Sequence, residues 1–159
     1  MKRFISIALL ALCTIAAYGR DVKVFAENST YSGDVICTVR DSKVYSKNST
    51  YSSAILYTIK GNAIYAGNST FSDKTVCTIK DGKVYEGTST YSSDILFTIK
   101  DGKVYKGSST YSSAIVANIR NGKVYSKNST YSGDILFNID GKLTLNEFVA
   151  VWFTVLYNY

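Results

Sequence analysis

The residues best suited to chemistry lie between Leu136 and Glu147. Asn138, Asp140, Gly141 and Glu147 fall where the third, fifth, sixth and twelfth residues of an EF-hand calcium loop would stand. The first of those positions needs Asp, but it is Leu136, which cannot ligate, and the segment before it is strand-like rather than helical. No metal site is expected there. The same residues make a helix start, with Thr144 and Glu147 as a capping box and Leu143 and Phe148 at the two staple positions.

The chain contains no His. Its Lys, Cys and carboxylate residues recur with a repeat instead of converging, so no nucleophile and base pair off, and neither an enzyme nor a cofactor is expected. Asn-Ser-Thr occurs at Asn28, Asn48, Asn68 and Asn128, formally a glycosylation acceptor each time. The corresponding Thr88 and Ser108 keep the Ser-Thr but lack the Asn, so a repeated turn explains the pattern better than a repeated sugar. A strand through Ser-Thr-Tyr-Ser would form a Thr-x-Ser ladder like that of ice-binding solenoids, on spacing alone.

What remains are aromatic side chains in register. Candidate ligand-binding columns are Tyr31, Tyr51, Tyr91, Tyr111 and Tyr131, with Tyr45, Tyr85, Tyr105 and Tyr125 as a second set. Such rings stack on sugars, and they also pack against one another in repeats. Lys and Arg flank a recurrent Asp or Asn and make a partly neutralised charged edge. That edge suits solubility, or contact with acidic polysaccharide or lipid headgroups.

The elements that carry these residues repeat every 20 residues without an insertion, in six units beginning at Asp21, Asp41, Gly61, Asp81, Asp101 and Asn121. Unit positions are numbered from these residues. The fifteenth to nineteenth positions, as in Ile95-Leu96-Phe97-Thr98-Ile99, read as a strand, and Lys83-Val84-Tyr85 reads as a shorter one. The expected fold is an all-β repeat protein over residues 20–140, a β-solenoid of six coils stacked at about 4.8 Å. The alternative is an antiparallel β-hairpin array, with Asp81-Gly82 and Asp101-Gly102 as type I′ turns pairing Ile79 with Val84 and Thr78 with Tyr85.

The array sets Lys80 opposite Lys83 and Lys100 opposite Lys103, which favours the solenoid. The solenoid requires adjacent Ile95 and Leu96 to face oppositely unless a bulge intervenes. One coil per unit also separates Cys37 from Cys77 by about 9.6 Å, so both should be buried free thiols.

Residues 141–159 should form a C-terminal capping α-helix from about Leu145, laying Leu145, Phe148, Val149, Trp152, Leu156 and Tyr159 over the open end. A rival pattern, with Val151, Phe153, Val155, Tyr157 and Tyr159 alternating, resembles the closing strand of an outer-membrane barrel, but a 20-residue unit with two turns is too short for membrane strands of about 9–11 residues.

Met1 to Gly19 has basic Lys2 and Arg3, an apolar run from Phe4 to Leu12 and small residues before Arg20, the form of a cleaved signal peptide. Leu12 argues against lipidation at Cys13. The apolar run is short of the about 20 residues that span a bilayer, and no later helical span is expected. Without residues 1–19 the chain keeps 16 basic and 12 acidic residues, only mildly basic, and nucleic acid is not an expected partner.

The units "VYSKNSTYSSAILYTIK" and the close "DGKLTLNEFVAVW" resemble a group of short secreted bacterial tandem-repeat proteins with an aromatic end segment. The resemblance implies an exported, non-enzymatic protein and carries over no site residues. The expected function is a structural or interaction module of the cell envelope, located in the periplasm, at the cell surface or outside the cell. Its expected partners are envelope polysaccharide, another envelope protein or further copies of itself. The alternatives are a carbohydrate-binding module and a fibre-forming subunit, although the chain has none of the Gln that marks curli repeats.

Overall fold

The computed structural model describes residues 21–158. The signal peptide, Cys13 and Tyr159 lie outside the described residues. Each unit contributes a short strand, a loop and a longer strand. The short strands are β1 (Val22–Ala26), β3 (Lys43–Ser46), β5 (Ala63–Ala66), β7 (Lys83–Glu86), β9 (Lys103–Lys106) and β11 (Lys123–Ser126). The longer ones are β2 (Val35–Arg40), β4 (Ile55–Lys60), β6 (Thr75–Lys80), β8 (Ile95–Lys100), β10 (Ile115–Arg120) and β12 (Ile135–Asp140). Every strand pairs antiparallel with its chain neighbours, and β12 pairs with β1, so the sheet is a closed barrel rather than a solenoid.

The hairpin pairing decides against stacked coils. Ile79 faces Val84 and Thr78 faces Tyr85 across a two-residue turn at Asp81 (φ 51°) and Gly82 (φ 73°), the positive-φ pair a type I′ turn requires. At Gly82 the requirement is also steric, because a Cβ would stand 2.6 Å from the Ile99 carbonyl oxygen. Lys80 does oppose Lys83, and Lys100 opposes Lys103. These side chains sit at solvated strand ends, where screening reduces their repulsion to a few tenths of a kcal/mol, less than the turn and the core contribute.

The problem of adjacent Ile and Leu is resolved by a bulge within each unit. Val84 pairs with Phe97 and Tyr85 with Ile95, so Leu96 is skipped, and its carbonyl accepts a hydrogen bond from the Gly107 amide at 3.0 Å. Positions 15 and 17 therefore face opposite sides of the sheet. Position 17 points inward with the fully buried Val or Ile of position four: Val24, Val44, Ile64, Val84, Val104 and Val124 are all 0% exposed.

Helix α1 (Leu145–Asn158) does not lie over an open end. All seven residues from Phe148 to Thr154 are buried, which leaves the helix no solvent face, and its aromatic side chains touch Tyr57, Phe97 and Phe137 from three different units. It is the core of the barrel. Twelve strands about 4.8 Å apart make a ring about 18 Å across before tilt widens it, room for a helix about 10 Å wide plus inward side chains. The capping box is formed: the Thr144 amide donates to Glu147 Oε2 at 2.8 Å, and the Glu147 amide donates to Thr144 Oγ1 at 3.3 Å. The carboxylate that would have closed a calcium loop is committed to the helix start. Asn146 Nδ2 donates to the Gly61 carbonyl at 2.8 Å, so α1 begins at the rim of the two-residue turns and runs toward the rim of the long loops.

Cys37 and Cys77 are buried free thiols, as expected, but for a different reason: they stand four strands apart around the ring, about 19 Å along the sheet.

Candidate functional site

The long loops are built alike in all six units. Position seven takes a positive φ, from 50° at Glu27 to 65° at Gly67, and turns the chain back. In four units the Thr hydroxyl at position 18 holds that residue's carbonyl, as Thr38 Oγ1 holds Lys47 at 2.8 Å and Thr98 Oγ1 holds Gly107 at 2.8 Å. Asn118 and Asn138 replace Thr in the last two units and donate further along, to the carbonyls of Ser129 and Ser29. The second of these bonds ties the last unit to the first.

The Ser at position nine then organises the tip. Its Oγ accepts the backbone N–H of the aromatic residue two positions on, at 3.1–3.3 Å in every unit. The carbonyl of that aromatic residue accepts the amide of position 14, closing a single 3-10 turn such as Ser92–Asp94. With amide and carbonyl both engaged, the backbone is fixed at φ near −80° and ψ near 140–150°.

The side chain itself is free. Tyr31, Tyr51, Phe71, Tyr91, Tyr111 and Tyr131 are 76–79% exposed, a spread too narrow for chance packing. Phe71 is the informative member, since without a hydroxyl its ring gains nothing from standing in water. The result is a crown of six rings at one end of the barrel, each on a clamped backbone.

Three loops add a carboxylate. Ser29, Ser89 and Ser129 each donate from Oγ to Oδ2 of Asp34, Asp94 and Asp134, at 2.5 Å. Hydrogen bonds from Ser89 and then Ser93 hold the Asp94 carboxyl below its ordinary range. In the fourth unit an open cleft of about 630 Å³ is lined by Glu86, Thr88, Ser89, Thr90, Tyr91 and Asp94. A shallow polar cleft beside an exposed ring can stack one face of a sugar and accept its hydroxyls.

A model of the family described as 6-fold beta flower protein matches residues 15–158. The chain belongs to the 6-fold beta flower family. No curated protein and no solved structure matches it. In this beta flower the two aromatic sets proposed from sequence have different placements. Tyr31, Tyr51, Tyr91, Tyr111 and Tyr131 stand in the crown, joined by Phe71, which a Tyr-only set omits although it occupies the same unit position. Tyr45, Tyr85 and Tyr105 are only 7–8% exposed on the outer face of the sheet, and Tyr125 is half-buried. The Tyr45 row is packing: Tyr45 lies between Thr38 and Ile55 in the register.

Sequence gave one usable signal for this division. Position 11 follows Ser-Thr and precedes Ser in every unit, a turn environment, whereas position five lies inside a strand, where alternate residues are covered.

Proposed function

We propose that the chain is an exported, non-enzymatic interaction module of the bacterial cell envelope, and that its aromatic crown binds envelope polysaccharide. The observation that carries this reading is the uniform exposure of the six loop aromatics on backbones held by the same two hydrogen bonds. A rigid backbone and a free ring lower the ordering cost of binding, and six equivalent rings on one rim allow a polymer to be held at several points at once. Closure of the sheet removes the free strand edges through which a fibre of stacked copies would grow, so fibre formation has no support from the fold.

The test is retention on purified envelope polysaccharide, compared with variants whose far-ultraviolet spectrum and melting are native. The triple variant Tyr31→Ala, Tyr91→Ala, Tyr131→Ala should lose at least about tenfold in apparent affinity, and the sixfold variant that also carries Tyr51→Ala, Phe71→Ala and Tyr111→Ala about 100-fold or more. A folded sixfold variant that binds as tightly as the parent refutes the assignment.

A further inference from the structure

The rim opposite the crown carries the protein's positive charge. At unit positions 20 and three, which flank the two-residue turns and the β1–β12 seam, ten of the twelve residues are Lys or Arg, the exceptions being Ala63 and Asp140, and these cations outnumber Asp140 and the turn carboxylates Asp21, Asp41, Asp81 and Asp101 by two to one. Position 20, occupied by Arg40, Lys60, Lys80, Lys100 and Arg120, is exposed throughout, and a half-buried Lys stands directly across the hairpin in four of these five cases. Both positions face outward, because each is one residue from an inward-facing Val or Ile. Among the described residues Arg40 is ion-paired with Asp21, while Lys60, Lys80, Lys83, Lys100, Lys103 and Arg120 have no carboxylate within ion-pair distance. The crown rim has the opposite balance, with Glu27, Asp34, Asp73, Glu86, Asp94 and Asp134 against Lys47, Lys74, Lys106 and Lys127.

The shape of this charged rim selects the partner. The hairpins share one turn length and one register, and equivalent atoms of a sixfold ring lie in a plane normal to its axis. A flat ring of cations meets a flat anionic surface all at once, whereas a single polymer strand can reach only one arc of it.

We infer that the turn rim is a docking face for a bilayer surface bearing anionic phospholipid headgroups, held by Lys and Arg against phosphate. Docked this way, the barrel axis stands along the membrane normal and the crown faces away from the bilayer. The inference is independent of what the crown binds.

The experiment is cosedimentation of the chain from Arg20, which contains the whole barrel and helix, with phosphatidylcholine vesicles with and without phosphatidylglycerol. Binding is expected only with phosphatidylglycerol and should be lost near 1 M salt, where the screening length falls to about 3 Å. The Lys80→Glu, Lys83→Glu, Lys100→Glu, Lys103→Glu variant should bind at least about 100-fold more weakly, each cation near the surface contributing about fivefold. If that variant does not fold, the same four residues changed to Gln serve instead.

The crown-rim control Lys47→Glu, Lys74→Glu, Lys127→Glu should bind vesicles like the parent. Glu27 already occupies the position of Lys47 and Lys127 in the first unit, so the control should fold. Equal losses in the two folded variants would overturn the inference, as would absence of vesicle binding by a chain that binds soluble anionic polysaccharide. The sixfold crown variant should keep its vesicle affinity, which separates failure of this inference from failure of the proposed crown function.

Discussion

At the inward position after the bulge the units carry Cys37, Tyr57, Cys77, Phe97, Ala117 and Phe137, small and large in strict alternation around the ring. The three large residues are wedges against α1. Phe137 meets Phe148 and Trp152 at ring distances of 6.4 and 6.2 Å, and Tyr57 and Phe97 meet Phe153 at 6.5 and 5.6 Å. Cys77 lies between Tyr57 and Phe97, and its small side chain leaves Phe153 room. Phe137→Ala should therefore cost about 3–5 kcal/mol in denaturant unfolding, and Ala117→Phe should destabilise by overpacking despite repeating a residue its neighbours carry. Burial pushes the Cys37 and Cys77 thiols up to about 12 from 9.0. Because the folded state keeps its protons while the unfolded chain loses them, stability is full below pH 9.0 and falls as pH rises from there toward about 12. Between pH 9 and 10 the Cys37→Ala, Cys77→Ala variant should show a shallower decline than the parent, each thiol contributing up to about 1.4 kcal/mol per pH unit.

At the scale of elements, local chemistry was legible and the choice between rival assemblies was not. Asp-Gly pairs, the Ile79–Val84 and Thr78–Tyr85 register and the Thr144–Glu147 cap could all be read from the chain, because each depends on residues a few positions apart. The skipped Leu96 and its equivalents could not be assigned, since a bulge is fixed by the neighbouring strand. The destination of α1 did have a sequence signal. Val149, Ala150, Val151, Trp152 and Phe153 are consecutive apolar residues, a helix apolar on all sides, and such a helix belongs inside a core. The cap box is testable on its own terms: Thr144→Ala should lower stability by about 0.5–2 kcal/mol, to the same extent with and without calcium.

For the whole molecule, ring closure and core filling depend on each other. Strands of four to six residues are about 13–20 Å long, and the 14 residues of α1 span about 21 Å, so one helix is long enough to fill the height. The helix is not sixfold, and it leaves gaps where its fit is poorest, such as the groove of about 270 Å³ at the turn rim between Ile99, Ile119, Ile139 and Phe148. Its seven consecutive buried residues contribute on the order of 10 kcal/mol, comparable with the about 5–15 kcal/mol that holds a typical domain folded. A chain ending at Asp140 should therefore lose its cooperative thermal transition and bind hydrophobic dyes, although every strand is present. Calorimetry and dye fluorescence on that truncation would check this.

The innermost segment of the protein follows all twelve strands in the chain. On a ribosome, the walls of the barrel are made before anything exists for them to enclose. The five two-residue hairpins involve only local contacts, whereas the β1–β12 seam joins the two ends of the repeat array and the ring encloses a core that emerges last. Completion of the fold thus requires α1, the last element of the chain to be made.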